Sequence, residues 1–99
     1  MKYQICQLVK IVDLNDEIIQ ETVFDHGIHE LPQLQIGMII ETKKVGLSSF
    51  DVVYDHRYGE TTKNTIVSIE MNIVKQPYEV VVYLQPLTLI IGQHDVGSI

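Results

Sequence analysis

Two histidines and two carboxylates stand within six residues of one another, in the run Asp25-His26-Gly27-Ile28-His29-Glu30. Imidazole and carboxylate groups together suit Zn²⁺, Ni²⁺ or iron ions. Gly27 would let the segment curl so that His26 and His29 face one ion, and His56 would supply a third ligand from a neighbouring strand. No HExxH or Cys-His spacing accompanies them, so ordinary surface histidines are the simpler interpretation and we expect no cofactor.

Covalent catalysis has less support. Cys6 is the sole cysteine and lies in an apolar stretch, where a thiol acts as a small hydrophobic group. The chain has no Gly-x-Ser-x-Gly elbow, and its six glycines are scattered singly, so no phosphate-binding loop is present. We therefore expect a non-enzymatic protein. A metal-dependent or other small enzyme using His26, His29 and His56 is the first alternative.

A second alternative rests on aromatic residues. Tyr54 and Tyr58 share one face of an alternating segment, with Arg57 beside them. Such a patch would stack on the bases of an oligonucleotide or hold a small molecule. The whole chain has only seven Lys and Arg residues, which gives little grip on phosphates. Nucleic acid is therefore not the partner we expect.

The charge distribution indicates a different partner. The net charge is −6, and between Lys10 and Lys43 the chain has seven acids and no Lys or Arg. Such a segment suits a basic protein surface, although a solvated face that keeps the protein soluble would have the same composition. We expect segment 11–42 to bind a protein partner, through the exposed acids Asp16, Glu17, Glu21, Asp25 and Glu30.

The elements that must position these residues are β-strands. The chain has no alanine, whereas 14 Ile, 12 Val and 6 Thr are β-branched. Alanine is the best helix former, and β-branched side chains fit a pleated, half-buried surface. No segment has a convincing helical period. The composition therefore predicts an all-β protein.

Alternation and turn residues predict six strands: 3–12, 17–24, 36–44, 50–58, 67–73 and 78–84. Pro32, which has no N–H for a central strand, indicates an irregular stretch over 25–35. Short links between strands of this kind favour a small antiparallel barrel or sandwich, and an SH3-like barrel protects its edges best. The core is predicted to consist of Phe50, Val52, Val67, Ile69, Met71, Ile73, Val80 and Val82.

The C-terminal part is apolar. We predict a single β domain over 1–86, followed at 87–99 by an apolar strand and a frayed tail. Leu87, Leu89 and Ile91 form one apolar face that either closes the sheet as a seventh strand or contacts a second copy in a homo-oligomer. No stretch approaches the ~18–20 apolar residues of a membrane span, and the N-terminus lacks a signal-peptide pattern. With a single cysteine, these features predict a cytoplasmic protein with no membrane contact.

Overall fold

A computed structural model describes residues 2–48, 51–54, 60–74 and 76–91. Within these ranges the chain forms seven strands and no helix, which confirms the all-β prediction. The strands are β1 (Lys2–Val12), β2 (Ile18–Glu30), β3 (Ile39–Lys43), β4 (Val45–Ser48), β5 (Asp51–Tyr54), β6 (Thr61–Asn72) and β7 (Glu79–Ile90). Accordingly, the described ranges contain no helix that could cross a membrane.

Five strands form one sheet in the order β2-β1-β7-β6-β3, and β4 and β5 form a separate hairpin. All neighbours are antiparallel except β1 and β7, which run parallel. The sheet is therefore mixed, whereas the sequence predicted a purely antiparallel arrangement. It has two ends, β2 and β3, so the described strands form an open sheet with a hairpin packed on it and not a closed barrel.

The inner face of the sheet is set by β1. Its odd-numbered residues from Tyr3 to Ile11 are all buried, as the period of two in a strand requires. They enter two apolar clusters. The first contains Tyr3, Ile5, Leu34, Ile66, Val80, Val82 and Leu84. The second contains Val9, Ile11, Val45, Leu47 and Leu89, so the β4–β5 hairpin covers this end of the sheet.

Three residues predicted to be core are not. Val67, Met71 and Ile73 are 46%, 54% and 68% exposed. The pairing of β6 with β7 shifts register between Ile66 and Ser68, and a residue in such a bulge is left outside the regular alternation. Met71 lies at the far end of β6, and Ile73 follows the last residue of the strand. Of the other predicted core residues, Val80 and Val82 are buried and Val52 and Ile69 are half-buried, while Phe50 lies outside the described residues.

Two predicted boundaries also differ. The stretch expected to be irregular from residue 25 is strand up to Glu30, and the irregular segment covers only 31–38. At the other end, β7 continues through Pro86, where the register with β1 shifts between Gln7 and Val9. A bulge tolerates proline because no ladder hydrogen bond is needed there. The chain is therefore one continuous strand across the boundary predicted at residue 86.

The predicted oligomer contact is covered by the chain itself. Leu89 is 1% exposed and lies in the second cluster, with Leu87 and Ile91 packed against it. In the structure this segment is therefore part of the chain's own sheet, which is the first of the two alternatives predicted for it. Residues 92–99 lie outside the described part of the chain.

Candidate functional site

Strand β2 carries the acids predicted to bind a partner. Asp16 and Glu17 precede it, and Glu21, Asp25 and Glu30 lie within it; all five are exposed. β2 is an end strand whose one neighbour in the described sheet is β1. Its other edge therefore has no strand partner among the described residues.

The pairing with β1 determines to which side each β2 residue directs its N–H and C=O groups. The carbonyl of Val12 accepts a hydrogen bond of 2.9 Å from the N–H of Ile91 on the β7 side. The N–H and C=O of a strand residue point to the same side, and this side alternates along the strand. The backbone of Ile11 therefore turns to β2, where its partner is Gln20. It follows that Glu21 directs its own N–H and C=O towards the open edge.

The outer face of β2 alternates between apolar and acidic side chains. Glu21, Val23 and Asp25 are all exposed and follow one another at intervals of two, so they project from the same face. The opposite face carries Phe24, which is half-buried against the second apolar cluster. An added strand would meet a regular pattern of apolar and negative groups here.

A bulge in β2 positions His26. Ile5 pairs with Gly27 and Cys6 with Asp25, so His26 has no direct partner in the register. Gly27 has φ +95°, a conformation that other residues adopt at a cost. The Asp25 Oδ1 accepts from the Gly27 N–H at 2.8 Å and its Oδ2 from Gln4 Nε2 at 3.1 Å. Asp25 therefore supports the bulge, and the His26 side chain is buried.

A chain of buried and partly buried hydrogen bonds extends from His26 across the sheet. His26 Nε2 lies 3.0 Å from Gln7 Oε1. Gln7 Nε2 donates to Asn64 Oδ1 and to the Gln85 carbonyl, both at 2.9 Å, and Asn64 Nδ2 donates to Thr42 Oγ1 at 2.9 Å. These five residues belong to the five different strands of the sheet. We call them the polar belt: His26, Gln7, Gln85, Asn64 and Thr42. It lies between the two apolar clusters, because Gln7 stands between Ile5 and Val9 on β1.

The donor and acceptor of each hydrogen bond in the polar belt can be assigned. The Gln85 carbonyl only accepts, so the group of Gln7 beside it is the NH₂ and the group facing His26 is the carbonyl oxygen. His26 must then carry its proton on Nε2. Asn64 Oδ1 accepts from Gln7, so its NH₂ faces Thr42. Thr42 Oγ1 accepts this bond, and its own hydrogen is left to donate.

An aromatic group holds the other side of His26. The Tyr54 hydroxyl donates to the His26 carbonyl at 3.2 Å and lies 3.4 Å from His26 Nδ1. Phe24 packs edge-on against both rings, with centroid distances of 4.9 Å to His26 and 5.1 Å to Tyr54. Edge-to-face pairs of this kind add to the stability gained from burial. The imidazole is therefore fixed in orientation as well as in tautomer.

Burial keeps this group of residues neutral. It lowers the pKa of His26, an effect that Asp25 opposes and His29 reinforces. Burial also raises the pKa of Tyr54, and the negative charge of Asp25 adds to it. The pKa of Cys6 is raised by the same two causes, so this thiol is poorly suited to act as a nucleophile.

A cavity of about 420 Å³ opens beside His26. It is lined by Ile5, His26, His29, Leu31, Ile40, Glu41, Thr42, Lys43 and Tyr54. Its wall thus includes β2 and β3, the two ends of the sheet. The cavity therefore lies between the two end strands of the sheet.

The predicted metal ligands are brought together only in part. His26 and His29 line the same cavity, and His56 lies outside the described residues. His26 Nε2 is occupied by Gln7, and His29 Nε2 lies 2.9 Å from the His26 carbonyl. Among the residues that the structure describes, no group of three His, Cys, Asp or Glu residues could hold an ion. Of the predicted aromatic face, Tyr54 lines this cavity, and Tyr58 lies outside the described residues.

The sequence did not single out the residues that organise this site. Gln7 is a polar residue at a position of β1 where the alternation requires an apolar one. This mismatch was the available signal, because a buried amide needs hydrogen-bond partners. Asn64 and Thr42 carried no comparable signal, since nothing local showed that they face Gln7.

Comparison with known proteins adds no assignment. No family model matches this chain, and neither a curated protein nor a solved structure shows significant similarity to it.

Proposed function

We propose that this protein is a non-enzymatic β-domain that binds an extended, basic segment of a partner protein along the outer edge of β2. The observation that carries the proposal is the position of β2 at the end of the sheet, with exposed acids along 13 residues of strand. An end strand offers a row of backbone donors and acceptors that a further strand satisfies.

Charge selects the partner. The seven acids between Lys10 and Lys43 stand without a Lys or Arg in the same segment, so a basic peptide is attracted before it docks. A second copy of this chain is a poor occupant, because two β2 strands side by side would place acids opposite acids. The edge charges thus favour a different, basic protein and disfavour self-association at this strand.

The alternation on β2 specifies the pattern of the partner segment. Cross-strand neighbours interact directly, so Lys or Arg opposite Glu21 and Asp25 with an apolar residue opposite Val23 fits the outer face. These three positions are two residues apart. The preferred segment therefore alternates basic and apolar residues on one face of an extended strand.

The test uses a synthetic peptide of about ten residues, the length of a long strand, with Lys and Val alternating on one face. Binding is measured by isothermal titration and by amide chemical shifts at two salt concentrations. We expect the largest shifts along β2. The Glu17→Gln/Glu21→Gln double substitution should weaken binding about 2- to 30-fold, from ~0.2–1 kcal/mol per exposed pair. Glu70→Gln, an exposed acid on β6, is the matched control and should have no effect.

Two control peptides separate strand addition from simple charge attraction. A version with proline at alternate positions keeps the charge and loses the backbone donors. A version with Glu in place of Lys keeps the donors and reverses the charge. Equal binding of the proline peptide would exclude strand addition, and binding of the Glu peptide would exclude the acidic edge as the selecting feature.

A further inference from the structure

We infer that the cavity between β2 and β3 is a binding site for a small, neutral and largely apolar molecule that carries a hydrogen-bond acceptor. This inference concerns the inner face of the sheet and is independent of the peptide proposed for the outer edge of β2. It rests on the size of the cavity, on its apolar walls and on the direction of the polar belt.

The size and lining of the cavity suit a small organic ligand. Its volume of about 420 Å³ falls within the usual ~300–1,000 Å³ of ligand pockets, which combine apolar walls with a few placed polar groups. Here Ile5, Leu31 and Ile40 form the apolar wall, and Thr42 and Tyr54 bring hydroxyl groups to it.

The polar belt determines what the ligand must offer. His26 donates to Gln7, Gln7 to Asn64 and Asn64 to Thr42 Oγ1, where this chain of hydrogen bonds ends. The hydroxyl of Thr42 therefore meets the cavity as a donor. Tyr54 already directs its hydrogen to His26. A carbonyl or similar acceptor on the ligand is the group that the Thr42 hydroxyl would bind.

The charges around the cavity favour a neutral ligand. Burial lowers the pKa of His26, so this side chain enters as a neutral imidazole. Among the described lining residues, Glu41 and Lys43 carry opposite charges, and both are exposed. Glu41 Oε1 also accepts from the Thr61 hydroxyl at 2.6 Å. The described lining residues thus offer no buried charge that would compensate an ion for its desolvation.

The site is also pre-organised. Within the described part of the chain, every buried side-chain nitrogen and oxygen has a hydrogen-bond partner. His26, Tyr54 and Phe24 hold one another by ring contacts. A ligand would therefore meet side chains already in place, which lowers the free energy spent on ordering them.

The experiment titrates four small ring compounds into the full chain and monitors amide chemical shifts. Toluene has no polar group, acetophenone adds an acceptor, benzoate adds a negative charge and benzylamine a positive one. We expect acetophenone to bind most tightly and to shift residues of β2 and β3 around the cavity. Ile40→Trp, which fills the cavity, should abolish these shifts.

Thr42 variants test the hydrogen bond itself. Thr42→Val removes the hydroxyl and should weaken acetophenone binding about 2- to 12-fold, with toluene unchanged. Thr42→Ser keeps the hydroxyl and should retain the affinity. Toluene thus controls for any general disturbance of the cavity, which matters because Thr42→Val also deprives Asn64 of its acceptor.

Three outcomes would overturn the inference. Equal affinity for toluene and acetophenone would remove the acceptor from the ligand class. Tighter binding of benzoate or benzylamine would replace the neutral ligand with a charged one. No shift around the cavity with any of the four compounds would show that the cavity does not take ligands of this class, and would leave the peptide proposal for β2 untouched.

Discussion

Replacing Gln7 by leucine is the most direct test of the polar belt. Leucine is of similar size and suits a strand whose neighbouring inward residues, Ile5 and Val9, are apolar. On pattern alone, Gln7→Leu should stabilise the protein, because it completes the apolar face of β1. The hydrogen bonds predict the opposite.

The magnitude follows from the groups left behind. Gln7 accepts from His26 Nε2 and donates to Asn64 Oδ1 and the Gln85 carbonyl. His26 and Asn64 are buried, and each would lose a partner at about 1–3 kcal/mol, so the two would cost roughly 2–6 kcal/mol. The Gln85 carbonyl is only partly buried and adds less. Rotation of His26 and Asn64 and the added apolar burial offset part of this. We expect a loss of about 3–5 kcal/mol, a large share of the ~5–15 kcal/mol typical of a domain.

The assay is urea unfolding at pH 7, with the free energy extrapolated to water. Gln4→Leu is the matched control: it lies on the same strand, is half-buried on the opposite face, and donates one 3.1 Å hydrogen bond to Asp25. We expect this variant to lose less than about 1 kcal/mol. A Gln7→Leu protein as stable as Gln4→Leu would show that the belt contributes nothing to stability, and the inferred tautomer of His26 would lose its basis.

Two further predictions concern pH and the C-terminal strand. Burial lowers the pKa of His26 in the folded protein below the ordinary 6.5. As the pH decreases, the unfolded chain therefore binds a proton at this residue before the folded protein does. The contribution of His26 to the free energy of unfolding is thus fully present above about pH 6.5 and decreases as the pH falls towards the folded pKa. Melting temperatures measured between about pH 7.5 and 5 should show this decline in the wild type and in the control His29→Gln. The decline should be smaller in His26→Phe. An unchanged decline in His26→Phe would refute the role of His26 in the pH dependence. Leu89→Ala should cost about 2–5 kcal/mol with no change in mass by light scattering, whereas Leu14→Ala, at a position 68% exposed, should cost little; a smaller assembly with unchanged stability would instead restore the oligomer contact.

Local sequence was sufficient for some features of the site. His26 and His29, three residues apart, line one cavity, and the five acids singled out from the sequence are exposed on β2 or just before it. Both features depend on residues close together in the chain. Charged side chains stay in water wherever the strand is placed, so their exposure needed no knowledge of the neighbouring strands.

The extent of β2 shows where local reasoning fails. Pro32 indicated an irregular stretch over 25–35, but the register with β1 absorbs one extra residue at the bulge and the strand continues to Glu30. A bulge requires a partner strand, so its position depends on β1 as much as on the residues of β2.

By itself, the sequence determined that the chain is β-structured. β-branched side chains restrict the conformation of their own residue, and alanine, the best helix former, is absent, so strand is favoured residue by residue. The alternation along β1 follows from the geometry of a single strand. Tertiary structure decided the rest. Gln7 and Asn64 are 57 positions apart, and they meet because β7 runs parallel to β1 and brings β6 near it. A period of two tells which face a side chain occupies, whereas only the strand order tells what lies on that face, and this is why the polar belt and its cavity emerged from the fold alone.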